Sequence, residues 1–282
     1  MMRNWKLAAG AAAIALFTAS GALAAHHGGK AKPAAAHGGK VSLSQIGGKP
    51  NLNGIWQVMN RANWDLLPHD SHTALAAEDK VGAIGAIPSG LGVVEGGAIP
   101  YLPEALAQKE KNRASAPSGD PEAACYLPGI PRATYMDHPF QIIQSGGDDI
   151  LMAYEYASAN RVIHIQKVEE PPIDTWMGTS YGSWNGNTLT VVTLGQNGST
   201  WLDRAGDYLT PTAKVTEHFT LTDSTHIAYD ATIEDPSVYS KPWKISMPLY
   251  RNVEPNAQLM EFNCVPFSEM LIYGDLKPKD AK

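Results

Sequence analysis

From residue 140 onward the chain alternates apolar and polar positions with a period of two, punctuated by Gly, Asn, Asp and Ser. Successive side chains of a strand point to opposite faces, so this rhythm predicts short antiparallel strands joined by tight turns. The expected strands are 140–144, 150–156 and 161–168, separated by Ser145-Gly-Gly-Asp-Asp149 and Ser158-Ala-Asn160. Strands 180–184 and 188–194 flank Asn185-Gly186-Asn187, a turn sequence suited to a tight hairpin. Strands 215–221 and 227–233 flank Thr222-Asp-Ser224, and 243–251 and 258–265 follow. An earlier strand is expected over 52–58. No alternation of strands with helices is present, which argues against a doubly wound fold. The predicted architecture is a mainly β antiparallel barrel or sandwich, lipocalin/calycin-like, with one or two short helices.

The same period assigns faces. Ile150, Met152, Tyr154 and Tyr156 share one side, as do Ile227, Tyr229, Ala231 and Ile233, and Trp243, Ile245, Met247 and Leu249. These sets either fill a solid core or line a ligand cavity; barrels do both. Two helical stretches are expected before the strands begin: 71–80, and 103–113, where Pro sits in the first turn and basic residues end the run.

The N-terminus changes the picture. Arg3 and Lys6 precede an Ala-rich apolar run over 7–19, and Ala22-Leu23-Ala24 is a small-x-small cleavage site. That order predicts a secretory signal, cleaved after Ala24, and a periplasmic or secreted product. The run is too short and too Ala-rich to read as a membrane span. The mature chain has 282 − 24 = 258 residues, and losing Arg3 and Lys6 takes the formal charge from −6 to −8. An acidic surface repels phosphate backbones, so nucleic acid is not an expected partner. Residues 25–50 are rich in Gly, Lys, Ala and His and poor in large apolar side chains, which predicts a flexible tether. Residues 51–282 then form one β-rich domain.

Cys125 and Cys264 are the only cysteines. Export places them in an oxidising compartment, where a pair tends to form a disulfide. Closing a loop of about 140 residues contributes roughly 4–5 kcal/mol in the chain-entropy description. Two free buried thiols are the alternative.

Candidate chemistry is sparse. After Ala24, the new terminus Ala25-His26-His27 offers a nitrogen set suited to square-planar Cu²⁺ or Ni²⁺, to which His37 adds; this is the basis for a metal-handling alternative. His69 and His72 lie three apart, but no third ligand is near them in sequence, so no metal is expected in the folded domain. Glu155 and His164 fall on neighbouring predicted strands, as an acid–base pair or as a solvent-side ion pair. Asp203-Arg204 reads as a loop-borne acid with an anion-orienting partner, or as a structural salt bridge. Trp176, Trp184 and Trp201 fall in one loop-rich stretch and, with Tyr154 and Arg204, are candidates for walling a flat ligand; tryptophans also anchor hairpin ends. No Gly-x-Ser-x-Gly elbow, phosphate loop, dinucleotide fingerprint or His-Glu-x-x-His is present, and no cofactor is expected. The favoured function is binding of a small apolar or aromatic compound. The alternative is a cofactor-independent lyase or isomerase using Glu155, His164 or Asp203.

Two resemblances bear on this. Gly54-Ile55-Trp56 resembles the opening of the lipocalins, in which Gly-x-Trp starts the first strand and an Arg covers the Trp; Arg251, on a late predicted strand, is the candidate for that role here. A longer, ordered set of segments resembles a functionally obscure family of exported bacterial β-rich proteins. They are Pro100-Tyr-Leu-Pro-Glu-Ala-Leu106, Asp120-Pro-Glu-Ala-Ala-Cys-Tyr-Leu-Pro-Gly-Ile-Pro-Arg132, Pro139-Phe-Gln-Ile-Ile-Gln144, Tyr154-Glu-Tyr156, Trp176-Met-Gly-Thr-Ser-Tyr-Gly-Ser-Trp184, Trp201-Leu-Asp-Arg-Ala-Gly206 and Ile233-Glu-Asp-Pro236. The resemblance implies fold and export, not an activity. Relatives of that kind tend to carry His at the positions of Thr179 and Ser183, Glu and Asp at those of Asn185 and Asn187, and Phe-His-Ser at Tyr208-Leu209-Thr210. A three-His cluster in the family would therefore be missing from this chain.

Overall fold

The computed structural model describes residues 43–73, 86–147 and 149–273. Nine strands close into a barrel: β1 Gly54–Gln57, β2 Phe140–Gln144, β3 Ile150–Tyr154, β4 Asn160–His164, β5 Thr179–Asn185, β6 Thr188–Leu194, β7 Lys214–Leu221, β8 His226–Glu234 and β9 Trp243–Arg251. Each strand lies beside its neighbours in sequence, and β9 returns to β1. A ring of strands alternating up and down cannot close with an odd number unless one adjacent pair runs in the same direction. That pair is β4–β5, with Ile163 opposite Ser180 and His164 opposite Tyr181. A parallel pair needs a crossover of a dozen or more residues. The 14 residues 165–178 supply it.

The expected strands are therefore present with one exception. Residues 258–265 form no strand. The ring is already closed by β9 on β1, so no free edge remains for a tenth strand. The chain also leaves β3 at Tyr154 and β4 at His164, earlier than the period suggests. At the first of these exits Ala157 and Ser158 take positive φ. In the N-terminal region, Gln45–Ile46 pairs with Lys49–Pro50, so ordered structure starts before residue 51, inside the expected tether. His72–Thr73 pairs with Ala86–Ile87, not as a helix; 74–80 lie outside the described residues. The signal segment and the His-rich stretch around His26, His27 and His37 also lie outside them. No helix among the described residues is long and apolar enough to cross a membrane.

The seam between β9 and β1 is short, with Tyr250 opposite Gln57 and Arg251 opposite Trp56. It is sealed by side chains. The Arg251 guanidinium sits 4.4 Å over the Trp56 ring and donates to the Asn53 carbonyl. Trp56 Nε1 donates to Leu52 O at 2.8 Å. Gly54 adopts φ +142°, and a Cβ there would lie 2.7 Å from Arg251 Nη1. Glycine at this position is what lets the guanidinium reach across the seam.

The barrel interior is filled. The predicted inward sets of β3, β8 and β9 are buried, joined by Phe140, Ile142, Leu189, Val191 and Phe219. At the centre Arg161 of β4 reaches across to Glu217 of β7, with Nη1–Oε2 2.7 Å and Nη2–Oε1 3.2 Å. Tyr229 donates to the same carboxylate at 3.0 Å. Ser180 and Thr193 share a hydrogen bond beside it. Both charges are fully enclosed, so removing one partner alone should cost several kcal/mol by stranding the other. One end is plugged by the helical turn Arg132–Tyr135, all four residues of which are buried. Thr134 comes within 3.5 Å of Glu217.

Candidate ligand-binding cleft

The two ends of the Asp120-to-Arg132 segment clasp each other. Asp120 accepts from Glu122 N, starting the 3-10 turn Pro121–Ala124, and takes Arg132 Nη1 and Nη2 at 2.9 and 2.8 Å. Arg132 Nε reaches Asn63 Oδ1 at 2.8 Å. Glu122 is held by Arg204 in turn, through Nε at 2.7 Å and Nη2 at 2.9 Å. Burial alone would raise the Glu122 carboxyl; Arg204 and then Arg132 overcome it and hold the group below the usual carboxylate range. The Arg204 guanidinium lies 4.0 Å over the Trp64 ring.

This charged frame is one wall of a cleft of about 300 Å³. The aromatic wall is His138, Tyr156 and Phe262. The Phe262 ring packs edge-on against His138 at 4.6 Å and tilted against Tyr156 at 5.2 Å. Tyr156 donates to Glu122 O at 2.7 Å, which ties the two walls together. His138 Nδ1 is 3.3 Å from Glu155 Oε1, and Glu155 Oε2 accepts from Met260 N at 2.9 Å. The far lip is the segment after β9, fastened by the disulfide. Cys125 and Cys264 are bonded, with Cα atoms 5.8 Å apart, as expected of the chain's two cysteines. A cysteine nucleophile is thereby removed.

The fold disperses most of the sequence candidates. Glu155 stands behind the cleft lining, in contact with the lining residue His138 and not with His164. His164 pairs instead with Asp149 at 3.1 Å on the exposed side of the barrel. Tyr154 is inside the barrel, its hydroxyl pushed up to about 12 by burial. Arg204 lines the cleft. The three tryptophans do not share a wall. Trp176 stacks on Tyr126 at 4.7 Å, just before β5. Trp184 lies near the other end of that strand, about 17 Å along at ~3.3 Å per residue, where it lines a separate hollow with Ile46, Lys49 and Gln144. Trp201 is buried in the loop before β7. His69 and His72 meet edge-on at 5.9 Å.

Asp203 is fully buried. It accepts from Leu66 N at 2.9 Å and Asp207 N at 3.0 Å, so it pins two loops together. Asp207 accepts from Tyr101 at 2.6 Å. Asp65 completes a group whose carboxylate oxygens lie within 4.8 Å of one another. These hard oxygen donors suit Ca²⁺ or Mg²⁺ if a cation is held here. A shared proton also balances them. Burial, and then the charge of Asp207, push Asp203 well above the carboxylate range. No sequence signal links residues 65 and 203. His138, Glu122 and Phe262 are likewise absent from any motif of catalytic spacing. The cysteine pair is the one pointer to them, since Glu122 stands three residues before Cys125 and Phe262 two before Cys264.

Comparison with known protein families, with curated proteins and with solved structures gives no match.

Proposed function

We propose that this is an exported β-barrel protein that binds a small apolar or aromatic compound in the cleft beside the plugged end, not inside the barrel. The observation carrying this is the pairing of an aromatic wall with a charge-balanced one around about 300 Å³ of space. Asp120 and Glu122 are matched by Arg132 and Arg204, so the cleft presents dipoles without net charge. A neutral aromatic body against Tyr156, His138 and Phe262, with a polar edge toward Glu122 and Arg204, satisfies both walls. N-phenyl-1-naphthylamine is a suitable neutral probe. Its fluorescence should rise on binding, and Phe262→Ala should weaken binding by about 1–2 kcal/mol, the usual scale for an aromatic anchor. Undiminished binding by that variant would place the ligand elsewhere.

The His138–Glu155 contact supports a second reading, a cofactor-independent lyase or isomerase at the same cleft. A carboxylate that orients an imidazole facing a ligand is the arrangement for proton transfer.

A further inference from the structure

We infer that the Cys125–Cys264 bond is a thiol-exchange site that assembles the cleft, so that reduction by a dithiol abolishes binding while leaving the barrel folded. The inference rests on the reading of the cleft as the binding site.

The barrel closes at Arg251 on Trp56, and the described residues after it, 252–273, form no strand of the ring. No residue from 252 to 268 is buried. Its hydrogen bonds to the rest of the domain run through Asn252 N to Ile55 O, Met260 N to Glu155 Oε2 and Phe267 N to Ala123 O. A stretch with so little buried surface offsets little of its own ordering entropy. Yet it supplies Phe262, Asn263, Cys264, Val265, Phe267 and Ser268, nearly half of the thirteen cleft-lining residues. The covalent bond is what holds that wall against the Glu122 wall. Cys125 directly follows the turn Pro121–Ala124 that carries Glu122. The bond thus joins the two sides of the site and is not embedded in the core. Both cysteines are half-buried, within reach of a reductant.

The chemistry is a two-electron exchange. One thiolate of the dithiol attacks a sulfur of the pair and forms a mixed disulfide. Its second thiol displaces the remaining cysteine, which leaves Cys125 and Cys264 as thiols and the reductant as its own disulfide. The C-terminal wall then swings free of the 3-10 turn.

The test compares oxidised protein, protein reduced with dithiothreitol, and the Cys125→Ser/Cys264→Ser variant. Hydrogen exchange is followed by mass spectrometry and binding by N-phenyl-1-naphthylamine. Reduction should raise exchange over 252–268 at least tenfold, leave β6–β9 amides protected, and weaken probe binding at least tenfold. The serine variant should match the reduced protein. Equal exchange over 252–268 in both redox states would overturn the inference, as would loss of protection throughout the barrel. Failure of the oxidised protein to bind the probe would instead count against the cleft as a binding site, and the exchange result would still decide whether the bond holds the wall.

Discussion

Asp207→Asn should make the protein more stable at pH 8. Asp203 and Asp207 are both buried, and their carboxylate oxygens lie within 4.8 Å. At that separation two unit charges repel by about 3 kcal/mol with an effective dielectric near 20. Asparagine keeps the acceptor for Tyr101 and replaces the second oxygen, which has no hydrogen-bond partner, with an N–H₂. The sign follows from Asp203. Its folded value lies above the ordinary 3.8, so between these values the folded chain holds a proton that the unfolded chain releases. The contribution of Asp203 is complete below pH 3.8 and is lost as pH rises through the folded value. Removing the Asp207 charge lowers that folded value and flattens the loss. Thermal melts at pH 5, 6.5 and 8 read it directly. At ~2–4 °C per kcal/mol for a domain of this size, the variant should gain about 6–12 °C at pH 8 and less at pH 5. A lower melting temperature at pH 8 would refute the reasoning, since it would show that the Asp207 charge is balanced, as it would be by a bound cation.

Glu217→Gln should lower stability by about 3–5 kcal/mol in urea titration, because it strands Arg161, whereas Arg161→Met combined with Glu217→Leu should cost far less. Equal losses would show that the pair is not acting as a unit. If the cleft performs proton transfer, acetophenone methyl protons should exchange in D₂O in its presence, and Glu155→Gln should slow this by roughly 10²-fold with binding of the fluorescent probe unchanged. Exchange unaffected by the variant would remove the acid–base reading. Gly54→Ala should destabilise the barrel seam, seen as faster hydrogen exchange in β1 and β9, because the new Cβ meets Arg251 at 2.7 Å.

The barrel strands were legible because period two is a local property. Phe140–Gln144, Thr188–Leu194 and Trp243–Arg251 begin and end where the alternation does. Where the reading overran, closure of the ring decided the outcome. Met260, Phe262 and Cys264 mimic a strand face, but β9 had already found β1 and no edge was open. Tyr156 is in phase with Tyr154, yet the chain has turned out of β3 and its ring serves the cleft. The site was harder to read because its members are scattered. Glu122, His138 and Phe262 meet only through the clasp of Asp120 on Arg132 and the long disulfide. Glu155 was expected to pair with His164 on the neighbouring strand, but its partner is His138, which no local pattern marks. The aromatic residues that were grouped by sequence distance, Trp176 and Trp184, are parted by the length of β5.

Amide chemical-shift mapping on titration with N-phenyl-1-naphthylamine tests the central claim most directly. The account predicts perturbations at 120, 122, 123, 138, 156, 204, 262–265, 267 and 268, which line the cleft. Perturbations centred on Met152, Arg161, Glu217 and Tyr229, the filled interior of the barrel, would contradict it.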